Sequence, residues 1–338
     1  MGVISYLSFS HQRHRATGRG GRGKAAECFG GVTLSPSTRW KSLAAAGLVA
    51  VTCGLAHFGG GAPAHASPSC PGLYVLAVPG TWETSDVDPR TGMLAASVDA
   101  LPGDVGAGYI AYTATAFPWE GEVYGRSKRE AVDKARAAVA AVAGSCTATR
   151  IAIVGYSQGA DAAGDLAAEI GTGHGVVAPD RIALVGLISD PRRAPTDTLI
   201  GPPVVGAGAG GPRPGGFGLL GPRTYTFCAA GDLYCAMPDG DFAGRIAGFF
   251  VEISNPDPAM FDRYSRDAGD LLDSALAAGG LGLLAGQLDA NAVDERKAQI
   301  AEFVNSGVHQ SYPFYVVGPD GETALSWLRR QLVDLIGR

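Results

Sequence analysis

Five short apolar runs, each ended by glycine, proline or a polar residue, constrain this chain more than any other feature. The run Leu73-Tyr74-Val75-Leu76-Ala77-Val78 is apolar without alternation and stops at Pro79-Gly80, as a parallel strand buried on both faces does. Similar runs follow at 109–113, 150–155, 181–188 and 224–228. Helical patterns lie between them, the clearest at 124–143, where Val132, Ala135, Val139 and Val142 share one face while Lys128, Arg129, Asp133 and Arg136 occupy the other. Strand alternating with helix predicts an α/β fold, a central parallel sheet flanked by helices. Two segments break that rhythm. Residues 201–222 are rich in glycine and proline and carry no hydrophobic period, which predicts a long surface loop. Residues 239–305 are helical in pattern and locally greasy, with Leu271, Leu272, Leu276, Leu281, Leu283, Leu284 and Leu288 close together. A last amphipathic helix is expected at 321–336, with Leu325, Leu328, Leu332 and Leu335 at helical spacing.

The first 66 residues have the build of a targeting segment. A basic stretch ends at Arg39 and Lys41, an apolar run covers 43–58, and Ala64-His65-Ala66 offers a small-residue cleavage site. Cleavage after Ala66 is expected, leaving 67–338 as one domain, secreted or held in the cell envelope. The apolar run is short and rich in glycine for a membrane span, and Thr52 fits poorly before a lipidated Cys53. The remainder holds 20 basic against 31 acidic residues, a net charge of −11, which speaks against nucleic acid as a partner. It also keeps four cysteines, Cys70, Cys146, Cys228 and Cys235. An even number in an exported chain reads as two disulfides rather than metal ligands. With His174 and His309 as the only histidines left, no zinc site is expected.

Gly155-Tyr156-Ser157-Gln158-Gly159 fits the nucleophile elbow, in which a serine sits on a strained turn between strand and helix and projects its hydroxyl from the sheet edge. The pentapeptide alone is a weak signal in a chain with 50 glycines. Its setting is stronger: a strand-like run leads straight into it and a helical pattern, 160–170, leaves it. A serine hydroxyl needs a base to take its proton, and the base needs a carboxylate to orient it. His309, in the loop Gly307-Val308-His309-Gln310-Ser311-Tyr312, is the candidate base. His174 follows Ser157 too closely to return to the sheet edge and is read as a surface residue. Asp232, after the fifth strand and enclosed by Cys228 and Cys235, is the candidate acid. Asp190, one strand earlier, competes with it and is read as a cap or turn residue before Pro191. The chain order Ser157, Asp232, His309 is the one such hydrolases use. The backbone N–H of Gln158, at the start of the helix after the serine, would supply one oxyanion donor.

Gly155-Tyr156-Ser157-Gln158-Gly159-Ala160, Cys228-Ala229-Ala230-Gly231-Asp232-Leu233-Tyr234-Cys235 and His309-Gln310-Ser311-Tyr312 together resemble the cutinase family, especially its actinobacterial members. The acid-bearing double-cysteine loop is the most specific of the three. The resemblance runs from about Cys70 to Tyr312. It implies a cutinase-like α/β-hydrolase fold, Ser157 as nucleophile, Asp232 as acid, His309 as base, and disulfides Cys70 to Cys146 and Cys228 to Cys235. It also implies a serine carboxylic ester hydrolase, an esterase or lipase working on lipid or acyl esters without a cofactor. The loop Pro79-Gly80-Thr81-Trp82-Glu83 is similar to the family's oxyanion turn, with Thr81 at the matching position; Trp82 either lines the acyl site or covers the sheet edge. One departure is large. The family's acid and base usually stand close in sequence, whereas 76 residues separate Asp232 from His309 here. The helical segment 239–305 is therefore expected to be an insertion, either a lid whose apolar face shelters acyl chains or a layer packed for stability.

The expected partner is a lipid or acyl-ester substrate, and the chain is expected to act as a monomer. Three rivals stay open on the sequence: an acyltransferase on envelope lipids with the same triad, a non-catalytic lipid-binding module, and a peptidase of the same fold.

Overall fold

The computed structural model describes residues 70–256 and 258–336. The expected leader at 1–66, its cleavage site, and Cys28 and Cys53 lie outside the described residues.

Five strands, β1 (Leu73–Val78), β2 (Val105–Tyr109), β3 (Arg150–Tyr156), β4 (Ile182–Ile188) and β5 (Thr224–Phe227), form one parallel sheet in the order β2-β1-β3-β4-β5. Helices cover both faces. Leu76, Val78, Ile151 and Ile153 point into the core shared with α2 (Tyr124–Ser145) and α3 (Gln158–Gly171). Their neighbours Val75, Ala77, Ala152 and Val154 point into a second core that holds Val98 of α1 (Ala95–Val98) and Leu325, Leu328 and Leu332 of α8 (Ala324–Ile336). Side chains alternate across a strand, so burial on both faces makes the strands read as unbroken apolar runs. The crossover from β1 goes to β2 on one side and the chain then builds from β3 on the other. A crevice therefore opens at the carboxyl ends of β1 and β3, where open parallel sheets place their sites.

Four of the five expected strands fall where the apolar runs are. The exception is the run at 109–113, because β2 occupies 105–109 instead. Its Gly106 and Gly108 contribute no hydrophobic signal, and both are required by Tyr74 of β1: a Cβ on Gly108 would lie 2.0 Å from the Tyr74 hydroxyl. The apolar residues after the strand, Ile110, Tyr112 and Ala114, are buried in irregular chain.

Among the described residues, the segment 239–305 holds four α-helices, α4 (Phe242–Glu252), α5 (Phe261–Ala278), α6 (Gly280–Gln287) and α7 (Ala290–Ser306). Asp241 caps α4 by accepting from the Gly244 N–H, and Asp289 caps α7 by accepting from the N–H groups of Asn291 and Ala292. Gly307, with φ 65°, ends α7 in the left-handed conformation that glycine adopts cheaply and turns the chain toward His309.

Two sequence expectations need correction. Lys128, placed by helical spacing on the polar face of α2, is buried against Asp161 and Asp165 of α3 and Glu252 of α4. Segment 201–222 is irregular but does not simply lie on the surface. It carries Arg213 into the interior, where the guanidinium pairs with Asp190 at 2.6 Å, Asp165 at 2.9 Å and Asp161 at 3.3 Å. In both cases the partners come from distant parts of the chain, which local periodicity does not reveal.

Candidate active site

Ser157 stands between β3 and α3 with φ 55° and ψ −123°, a backbone conformation costly for any residue with a side chain. The flanking glycines permit it. A Cβ on Gly159 would lie 2.0 Å from the Val78 carbonyl, and one on Gly155 would lie 2.4 Å from the Gly159 carbonyl. Gly159 must be glycine for the turn to pack against the end of β1, and Gly155 for the first turn of α3 to fold back on the strand. The Ser157 N–H donates to the Ile188 carbonyl at 2.9 Å, tying the turn to β4.

The His309 Nε2 lies 2.9 Å from the Ser157 Oγ, and its Nδ1 lies 3.0 and 3.2 Å from the two carboxylate oxygens of Asp232. The structure thus brings all three candidate residues into one hydrogen-bonded line. Tyr156, next to the serine, donates its hydroxyl to the His309 carbonyl at 2.7 Å, and its ring packs 5.3 Å from the imidazole. Tyr234 packs on the imidazole at 4.5 Å, and Phe303 of α7 approaches both rings, at 5.7 and 6.3 Å. The base is held among aromatic rings, one of them delivered by the helical insertion.

Asp232 is fully buried in the loop closed by the Cys228–Cys235 disulfide. Burial alone would push its carboxyl upward. Hydrogen bonds from His309, Ser189 and Tyr312 outweigh it and hold the group below the usual carboxylate range. Tyr312 donates to Oδ2 at 2.7 Å, Ser189 donates to the same oxygen at 2.6 Å, and the Tyr234 N–H donates to Oδ1 at 3.1 Å. The second disulfide, Cys70–Cys146, ties the chain just before β1 to the end of α2.

Gln158 is the first residue of α3, where a backbone N–H has no acceptor within the helix. Its side chain is buried and accepts from the Thr81 hydroxyl at 3.4 Å, so the two candidate oxyanion residues meet across the crevice between β1 and β3. The loop bearing Thr81 is fixed by Glu83, which accepts from the N–H groups of Gly80 and Met93. Trp82, at φ 63°, is 60% exposed and lies beside Phe117, which stacks on Trp119 at 4.5 Å.

The competing residues are occupied elsewhere. The Asp190 carboxylate pairs with Arg213 and accepts from the Arg192 N–H in a turn, and His174 is exposed beside Thr172. Sequence reasoning missed Ser189, although it follows β4 as directly as Ser157 follows β3. It also passed over the role of Tyr312, which stands three residues after the base.

A family model, Cutinase, matches residues 69–246; the match covers Ser157 and Asp232 and ends within α4, short of His309. A carboxylesterase Culp6 homolog of Corynebacterium glutamicum is 33% identical over 50% of this chain and 66% of its own length. The carboxylesterase Culp1 of Mycobacterium tuberculosis is 31% identical over 52% of this chain and 73% of its own. The solved catalytic core domain of acetyl xylan esterase from Trichoderma reesei aligns with 59% of this chain and 98% of its own, at 20% identity and a TM-score of 0.43. On the family match, and on the elbow and cysteine-closed acid loop it spans, this chain belongs to the cutinase family of carboxylic ester hydrolases.

Proposed function

We propose that the chain is an exported serine esterase that cleaves lipid or acyl esters through an acyl-serine intermediate. The observation that carries this is the line from Ser157 through His309 to Asp232, with both imidazole nitrogens engaged. His309 takes the proton of Ser157 as its Oγ attacks the ester carbonyl, and Asp232 stabilises the resulting imidazolium. The Gln158 N–H and the Thr81 turn face the developing oxyanion. His309 then returns the proton to the leaving alcohol, and a water activated by the same imidazole releases the acid.

Export is supported by two disulfides, bonds that persist in oxidising compartments. Among the described residues, no helix is long and apolar enough to cross a membrane. An acyl substrate is supported by α7, where Ile300, Phe303 and Val304 share one face at helical spacing; Phe303 reaches the base, while Ile300 and Val304 are exposed.

Intact-mass analysis with a fluorophosphonate tests the chemistry. One adduct is expected on the wild type and none on Ser157→Ala, with hydrolysis of p-nitrophenyl butyrate reduced at least about 10⁴-fold. An adduct elsewhere, or turnover by the variant, would sink the proposal. The double substitution Ile300→Asp, Val304→Asp tests the insertion: turnover of long-chain esters should fall more than that of acetate esters. An unchanged chain-length preference makes α4–α7 a packing layer only.

A further inference from the structure

Ser189 has no place in the three-residue relay, yet it occupies the point where two of the three members meet. It follows β4 directly, is fully buried, and has φ 54°. That is the left-handed region, which glycine enters freely and a residue with a Cβ enters at a cost. Its backbone needs nothing that glycine lacks, since the Ser189 N–H donates to the Phe227 carbonyl at 2.8 Å and glycine would do the same. What only the side chain supplies is the hydroxyl. It donates to Oδ2 of Asp232 at 2.6 Å, and its oxygen lies 3.0 Å from the His309 Nδ1. Because the hydroxyl proton goes to the carboxylate, the oxygen's lone pairs face the imidazole N–H.

We propose that Ser189 is a positioning residue of the active site: its hydroxyl holds the Asp232 carboxylate against the His309 N–H, and the strained backbone after β4 exists to deliver it. Asp232 already receives Tyr312 and the Tyr234 N–H. With Ser189 as a further donor, Oδ2 receives two hydroxyls and Oδ1 one backbone N–H besides the imidazole, so the charge is aimed when the imidazolium forms. The inference rests on the esterase proposal and deepens it.

Two variants separate this role from ordinary packing. Ser189→Ala and Ser189→Gly both lose the hydroxyl, but only the glycine variant relieves the backbone. Both are expected to lower kcat about 10-fold or more on p-nitrophenyl butyrate with KM unchanged, while the glycine variant melts about 2–4 °C above the alanine variant. In an Asp232→Asn background, where no carboxylate is left to aim, Ser189→Gly is expected to lower kcat less than twofold. The inference is overturned if either variant keeps kcat within twofold of wild type, if kcat follows the melting temperature between the two, or if the loss is undiminished in the Asn background. The fluorophosphonate adduct keeps the two levels apart. A wild type that is neither labelled nor active overturns the esterase proposal and this inference with it, whereas a labelled, active wild type with unaffected variants overturns Ser189 alone.

Discussion

Tyr312 is wholly withdrawn from solvent, and its hydroxyl is used twice, donating to Asp232 and accepting from the Ala229 N–H at 3.0 Å. A hydrogen bond to a buried carboxylate contributes about 1.5–3 kcal/mol, so Tyr312→Phe should lower stability by that order at neutral pH. The pH dependence has a definite sign. Asp232 is held below its ordinary value in the folded state; the stability it contributes is therefore present above the unfolded carboxylate value and lost as pH falls through the folded one. Removing the phenol raises the folded value and narrows that window, so the acid-unfolding midpoint of Tyr312→Phe, followed by circular dichroism, should move upward in pH. Equal midpoints would mean that the phenol does not stabilise the charge. At this scale the motif residues Ser157, Asp232 and His309 were legible because their chemistry restricts the residue types at each position. Ser189 and Tyr312 were not, because serine and tyrosine serve too many purposes for residue type to reveal a hydrogen bond to a carboxylate far along the chain.

Among the elements, buried charge fastens the insertion to the sheet-bearing body. Glu252 of α4 pairs with Lys128 of α2, Arg263 of α5 pairs with Asp165 of α3, and Asp267 of α5 pairs with Arg192 in the turn after β4. Burial, and then the neighbouring Glu252, raise Asp161 in this cluster to about 7. The folded state therefore holds that proton between the ordinary carboxylate value and about pH 7, and this contribution to stability is lost as pH rises through about 7, opposite in sense to Asp232. Arg213 lies among the carboxylates of Asp161, Asp165 and Asp190. Arg213→Met should cost about 3–5 kcal/mol by leaving buried charge uncompensated, measurable by urea denaturation at pH 7. A loss under about 1 kcal/mol would show that the cluster does not need its guanidinium. The helical character of the insertion was readable from leucine spacing, but its attachment was not, since each ion pair joins segments that only the tertiary fold brings together.

Over the whole molecule, the two disulfides have separate duties. Cys70–Cys146 closes a loop with a sequence separation of 76 and Cys228–Cys235 one of 7; chain entropy assigns them about 4.5 and about 2.5 kcal/mol. A Cys70→Ser, Cys146→Ser variant should thus lose more stability and keep kcat, while Cys228→Ser, Cys235→Ser should lose less stability and more kcat, because the acid's loop slackens. Parallel losses in both variants would assign both bridges to stability alone. The sheet was legible because burial on both faces leaves a plain apolar run; only β2, where glycines accommodate Tyr74, escaped. Neither bridge reaches past Cys235, although the imidazole comes from a stretch of chain well beyond it. A single severed peptide bond between α5 and α6 would therefore leave a two-piece molecule, the nucleophile and acid on one fragment and the proton acceptor on the other. The second fragment would be retained by non-covalent contacts alone, chiefly the apolar face of α8 against the sheet.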